Sequence, residues 1–188
     1  MTVDAPNRDP SNAAALLSEL KRQGVTHIVG LPDNTSAGFL ALAGLDPDIT
    51  TLPVTREGEA FAIASGLWLG GGNPVVVVQN TGLLESGDSL RGTAVRMGVP
   101  LLCLVTYRGY RAMIAHGSEV ETDGWGIDTL TRSDLDSVAL HTEPTLRAWG
   151  IPYRFYDAAN AARLVGDAWE EAHRDMRPVA LLVTQALT

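Results

Sequence analysis

A single cysteine and a single lysine are the scarcest residues in this 188-residue chain. With one thiol, Cys103, a disulfide framework and a cysteine-ligated zinc site are both excluded. Cys103 lies inside the apolar run Leu101–Val105, which reads as a buried strand, and the setting it suggests is a reducing cytoplasm. Basic side chains number 14 against 22 acidic ones, a formal charge of −8. A surface of that sign has no electrostatic grip on phosphate backbones or anionic lipid, which sets aside nucleic acid and membrane surfaces as partners. Charge is missing altogether between residues 60 and 84, a stretch long enough to raise the question of a membrane span. Gly70-Gly71-Gly72-Asn73-Pro74 interrupts any helix there, and Gln79-Asn80-Thr81 would sit unpaired in lipid. The opening Met1-Thr2-Val3-Asp4 has no basic region leading into an apolar run, so no signal peptide is expected.

What is present suits one soluble domain with a real core: 45% hydrophobic and 19% charged residues. Residues 1–10, with two prolines and two aspartates, read as a loose tail, and residues 11–188 as the domain. Ser11 or Asn12 is placed to cap a helix carrying Leu16, Leu17 and Leu20 on one face, with Gly24 ending it. Strand and helix then alternate. Strands are expected at Val25–Gly30, Ile49–Val54, Val75–Gln79, Leu101–Tyr107, Tyr153–Tyr156 and Val179–Thr184. Helices are expected at Thr35–Ala43, Glu57–Leu69, Ser86–Arg96, Pro144–Trp149 and Ala158–Arg174, with an irregular segment from Ala112 to Asp136. Runs such as Val75-Val76-Val77-Val78 are apolar toward both faces, as parallel strands covered on each side must be. The reading is a three-layer α/β fold: a six-stranded, mainly parallel sheet with helices on both faces.

Ligands gather at the carboxyl ends of strands in such a sheet. Those ends carry Leu31-Pro32-Asp33-Asn34, Arg56-Glu57-Gly58-Glu59, Gln79-Asn80-Thr81-Gly82 and Thr106-Tyr107-Arg108-Gly109. Glu57 opens a helix of small and apolar residues, where burial would suit a carboxyl that exchanges a proton with a ligand nitrogen. The same position is also one where the helix dipole simply favours an acid, the better reading for Glu59. Asp33 and Asn34 read equally as turn residues, and Arg108 as a partner for an anionic substrate or for an acidic neighbour. Of the histidines, only His116, in the irregular segment, is worth watching.

Arg56-Glu57-Gly58-Glu59-Ala60, continuing through Ala64-Ser65-Gly66-Leu67, resembles the pyrimidine-binding domain of thiamine diphosphate enzymes. The likeness runs on through Gly30-Leu31-Pro32-Asp33, Gln79-Asn80-Thr81-Gly82-Leu83 and Tyr107-Arg108-Gly109, and is strongest toward the sulfopyruvate and phosphonopyruvate decarboxylases. The resemblance implies the thiamine diphosphate-binding fold and a cofactor, thiamine diphosphate, whose aminopyrimidine N1′ meets Glu57. It further implies that Asn80, Thr81 and Gly82 line the pyrimidine pocket and that Asp33 handles protons. Arg108, Asn34 and His116 are implied at the substrate. The motif by which these enzymes hold Mg2+ and diphosphate, Gly-Asp-Gly with a later asparagine pair, has no match here, since Ser86-Gly87-Asp88-Ser89 lacks the second glycine. No metal ligand is therefore assigned to this chain, and a companion subunit is expected to supply them in a hetro-oligomer with two or more copies of each chain. The implied activity is decarboxylation of an anionic 3-substituted pyruvate. The alternatives are a carboligase subunit like that of acetolactate synthase and a non-catalytic assembly or regulatory subunit of the same fold.

Overall fold

The computed structural model describes residues 12–115 and 126–188; the expected tail over residues 1–10 lies outside them, as does His116. Leu16, Leu17 and Leu20 are buried along one face of α1 (Asn12–Arg22), and Gly24, at φ +80°, turns the chain out of it toward β1 (His27–Gly30). Next come α2 (Ala37–Ala43), β2 (Thr50–Pro53), α3 (Glu57–Leu69) and β3 (Pro74–Gln79). α4 (Asn80–Glu85), α5 (Gly87–Ser89) and a π-helical turn (Leu90–Val95) lead to β4 (Leu102–Thr106). α6 (Tyr110–Ala115), α7 (Ile127–Leu130) and α8 (Ser137–Ala148) precede β5 (Tyr153–Phe155). A 3-10 turn (Ala158–Asn160) opens α9 (Ala161–Asp175), which feeds β6 (Val179–Val183).

The six strands pair in the order β2-β1-β3-β4-β6-β5, every pair parallel, so the sheet expected to be mainly parallel is wholly so. Successive side chains of β3 enter opposite cores. Val75 and Val77 pack with Leu16, Leu20 and Val165; Val76 and Val78 pack with Phe61, Ala64 and Leu140. That double burial is the reason the inner strands read as unbroken apolar runs, and each valine so enclosed contributes roughly 1.5–3 kcal/mol. Pro53 sits at the end of edge strand β2, where a missing N–H costs the ladder least. The uncharged stretch over residues 60–84 divides among α3, β3 and α4, and no helix of the described residues is long and apolar enough to cross a membrane.

Three local readings change. Of the two cap candidates for α1, Ser11 lies outside the described residues, and Asn12 turns elsewhere: its amide donates to the Ala186 carbonyl and accepts the Thr188 N–H, both at 2.7 Å, pinning the last strand's extension to the first helix. The helix expected at Ser86 begins at Asn80, immediately after β3, then breaks. Ser86 and Thr93 hydroxyls bond the carbonyls of Gly82 and Ser89 one turn back, and the backbone loosens into a π-helical turn there. Pro144 does not start the last-but-one helix but lies inside it; the start is Asp136, whose Oδ1 accepts the Val138 N–H at 3.3 Å.

Candidate functional site

All six strands being parallel, their carboxyl ends share one rim. The winding reverses between β1 and β3, the point of the rim at which open parallel sheets hold their ligands. Asp33, just beyond β1, has both carboxylate oxygens engaged. Oδ1 accepts the N–H groups of Thr35 at 2.7 Å and Ser36 at 2.8 Å, and the Ser36 hydroxyl at 3.1 Å. Oδ2 accepts the Gln79 amide at 3.3 Å and the Thr106 hydroxyl. One side chain thus closes the turn into α2 and ties together the ends of β1, β3 and β4. Asn34 beside it is exposed.

The two acids that open α3 behave differently. Glu59 folds back onto the helix start, accepting from the Thr55 N–H at 3.1 Å, the Thr55 hydroxyl at 3.0 Å and the Arg56 N–H at 3.2 Å. Those donors, the Thr55 N–H foremost, hold its carboxyl below the ordinary range, so Glu59 is a helix-terminus residue. Glu57 is half-buried and has no hydrogen-bond partner among the described residues. Its side chain lies on Gly82, so closely that a Cβ there would fall onto Glu57 Cγ, Cδ and Oε1. Glycine at position 82 is therefore a condition for the Glu57 side chain to sit where it does. α4 and α5 are fixed against the start of α3 by three further links. Arg56 pairs with Glu85, whose Oε2 also accepts the Gly58 N–H at 3.3 Å, and the Ser89 hydroxyl donates to the Gly58 carbonyl at 2.7 Å.

Asn80 was expected to line a cofactor pocket, yet its side chain is fully buried and turned inward. Nδ2 donates to the Arg108 carbonyl at 3.1 Å and to the Thr142 hydroxyl at 2.9 Å, and Oδ1 accepts the Arg108 N–H at 3.1 Å. This amide brackets the loop after β4 onto α4 and α8. Thr81 is exposed and donates to the Gln79 side chain at 3.2 Å. Arg108 is exposed at the rim, with Nε 2.7 Å from Asp136 Oδ2. Asp33, Glu57, Thr81, Gly82 and Arg108 therefore all stand at or beside the strand ends, with Asn80 beneath them. Sequence reasoning missed Thr142 and Asp136. Asp136 before Ser137-Val138 carries a helix-start signal that could have revealed it; Thr142 gains its role only through packing.

Comparison with known proteins places the chain in a family. Residues 11–126 match the family model for the thiamine pyrophosphate enzyme, N-terminal TPP binding domain. Sulfopyruvate decarboxylase subunit alpha of Methanothermobacter thermautotrophicus is 30% identical over 173 residues, 92% of this chain and 94% of that subunit. Phosphonopyruvate decarboxylase of Streptomyces viridochromogenes is 36% identical over 97 residues, 52% of this chain but only 24% of the relative. The matched stretch thus spans about a quarter of the Streptomyces enzyme's length. Among solved structures, benzoylformate decarboxylase from Polynucleobacter necessarius shares the fold, with a TM-score of 0.66 at 19% identity over 94% of this chain and 30% of that one. With the model matched from α1 past α6 and a full-length relative alongside, the chain belongs to the thiamine pyrophosphate enzymes, as an N-terminal TPP binding domain.

Proposed function

We propose that this chain is the pyrimidine-binding, alpha subunit of a thiamine diphosphate-dependent decarboxylase acting on an anionic 3-substituted pyruvate such as sulfopyruvate or phosphonopyruvate. The observation that carries the reading is Glu57: a half-buried carboxylate without a hydrogen-bond partner among the described residues, seated on Gly82, where any side chain would displace it. A carboxylate so placed has its oxygens left for an external donor, and it fits a ring nitrogen. Thiamine diphosphate, when bound, supplies the electron sink that lets a 2-oxo acid lose CO2. The work left to this chain is to bind, orient and exchange a proton. Glu57 holds a proton at N1′, and Gly82 keeps the side chain in reach. Thr81 lies on the same turn of α4. Asp33 locks the strand ends beneath the site, and a proton-handling role for it requires release of one of its present donors. Arg108 meets the sulfonate or phosphonate of the substrate, with Asn34 beyond the end of β1, on the far side of β3 from it.

Two observations support a companion subunit. The full-length relative is itself named a subunit alpha. Helix α3, which begins at Glu57, exposes Ile63 (40%) and Leu69 (61%), and nothing lies within 4 Å of a Cβ built on Gly66 between them, an apolar flank suited to burial by another chain. That companion carries the diphosphate and Mg2+ ligands, in an assembly with two or more copies of each chain. Coexpression with a chain bearing Gly-Asp-Gly, followed by a screen of 2-oxo acids, tests the activity. Calorimetry tests the division of labour: thiamine diphosphate is expected to bind tightly only when both chains are present. Tight Mg2+-dependent binding by this chain alone, or full turnover by a Glu57→Gln complex, refutes the reading.

A further inference from the structure

Arg108 is exposed, yet its backbone and its Nε are both engaged by neighbouring side chains. Its backbone is fixed on both sides by the Asn80 amide, which accepts the N–H and donates to the carbonyl, each at 3.1 Å. The following residue, Gly109, has φ +80° and leaves no space for a side chain, because Asp136 Cβ and Ala139 Cβ stand 2.9 and 3.0 Å from where its own Cβ would be. The side chain is paired as well: Asp136 Oδ2 stands 2.7 Å from Nε in an ion pair, while Oδ1 of the same carboxylate caps α8 through the Val138 N–H. Nη1 and Nη2 have no partner among the described residues. A guanidinium gripped at Nε keeps its Nη groups for a tetrahedral oxyanion.

We infer that Asp136 is a positioning and specificity-determining residue, which orients the Arg108 guanidinium toward the anionic 3-substituent of the substrate; this rests on the reading of Arg108 given above. Two effects oppose one another. The Asp136 charge repels an incoming sulfonate, but at an exposed rim that repulsion is screened by salt. Fixing the guanidinium beforehand removes the ordering cost that a free arginine meets on binding. Positioning prevails, so loss of Asp136 weakens substrate binding rather than strengthening it.

The test uses the complex with its companion subunit and the variant Asp136→Ser, which keeps a capping oxygen for α8 and the Cβ packed against Gly109 but cannot reach Arg108. KM for sulfopyruvate or phosphonopyruvate is expected to rise about tenfold with kcat held within about threefold, the pattern of lost ground-state binding. Asp136→Asn, which keeps the size of the side chain, is expected to move KM in the same direction. An independent readout is the Arg108 Nε–H resonance in the chain itself, protected from exchange in the native protein and lost in Asp136→Ser. An unchanged or lowered KM in Asp136→Ser, with Arg108→Ala raising it, overturns the inference and leaves the reading of Arg108 standing. An unchanged KM in Arg108→Ala overturns both.

Discussion

Replacing Gly82 by alanine sets stability and activity against each other. Gly82 is helical within α4 and does not have a positive φ, so alanine meets no backbone strain there. Glycine to alanine inside a helix is worth about 1 kcal/mol in favour of the variant. Against this, the new methyl group occupies the space of Glu57 Cγ, Cδ and Oε1. The Glu57 side chain must move aside, at a cost of about 0.5–1.5 kcal/mol if it is driven off a rotamer minimum. The two contributions nearly cancel, and for a domain of this size the melting temperature should change by no more than about 4 °C. Turnover answers differently. A shift of about 1 Å in a reacting group can cost on the order of 100-fold, and the methyl displaces the carboxylate by at least that much. The assay is therefore paired: thermal melting of the chain, and decarboxylation by the complex. A Gly82→Ala protein with near-native melting and at least 100-fold lower turnover is expected. Turnover within fivefold of native, at unchanged stability, would refute the claim that Glu57 acts from its seat on Gly82.

Three further outcomes follow from named contacts. Glu57→Gln breaks no bond to the described residues, so its stability should stay within about 0.5 kcal/mol of native in urea titration, while turnover of the complex falls about 100- to 10,000-fold. Asn80→Ala removes the buried bracket on Arg108 and Thr142 and should lower urea stability by about 2 kcal/mol, with a native-like curve counting against the bracket. Cys103 is enclosed in β4, and burial pushes its thiol from the ordinary 9.0 up to about 12. The native state therefore favours the protonated form: this stabilisation is full below pH 9.0 and is lost as pH rises through about 12. Stability should fall by about 1.4 kcal/mol per pH unit in that window, a slope that Cys103→Ala removes in part, since burial also raises the Tyr156 phenol to about 12.

The fold was largely legible because its signals are local. Val75–Val78 and Val179–Val183 announce doubly covered strands. The helix from Glu57 to Leu69 matches its expected bounds, since no proline or glycine pair interrupts it before Gly70-Gly71. Where the reading slipped, geometry outweighed local preference. β3 runs straight into α4 without a turn residue, so the helix starts at Asn80 and not at Ser86, and Pro144 reads as a helix start although α8 accommodates it. Of the site, the residue types at the strand ends were legible and their bonds were not. Whether Asn80 faces outward or brackets Arg108 and Thr142 depends on residues 28 and 62 positions away. Glu57 and Glu59 stand two positions apart and differ entirely in role, because only Glu59 reaches back to Thr55.

Helix α3 carries its acid at one tip and its bare apolar flank along the side, on a rod of 13 residues, about 20 Å long at 1.5 Å per residue. A rod transmits displacement without absorbing it. Any neighbour that grips the flank also sets the reach and tilt of the carboxylate, so on the proposed reading tightness of assembly and catalytic rate are coupled. Substitutions at Ile63 or Leu69, remote from the chemistry, would be felt at Glu57.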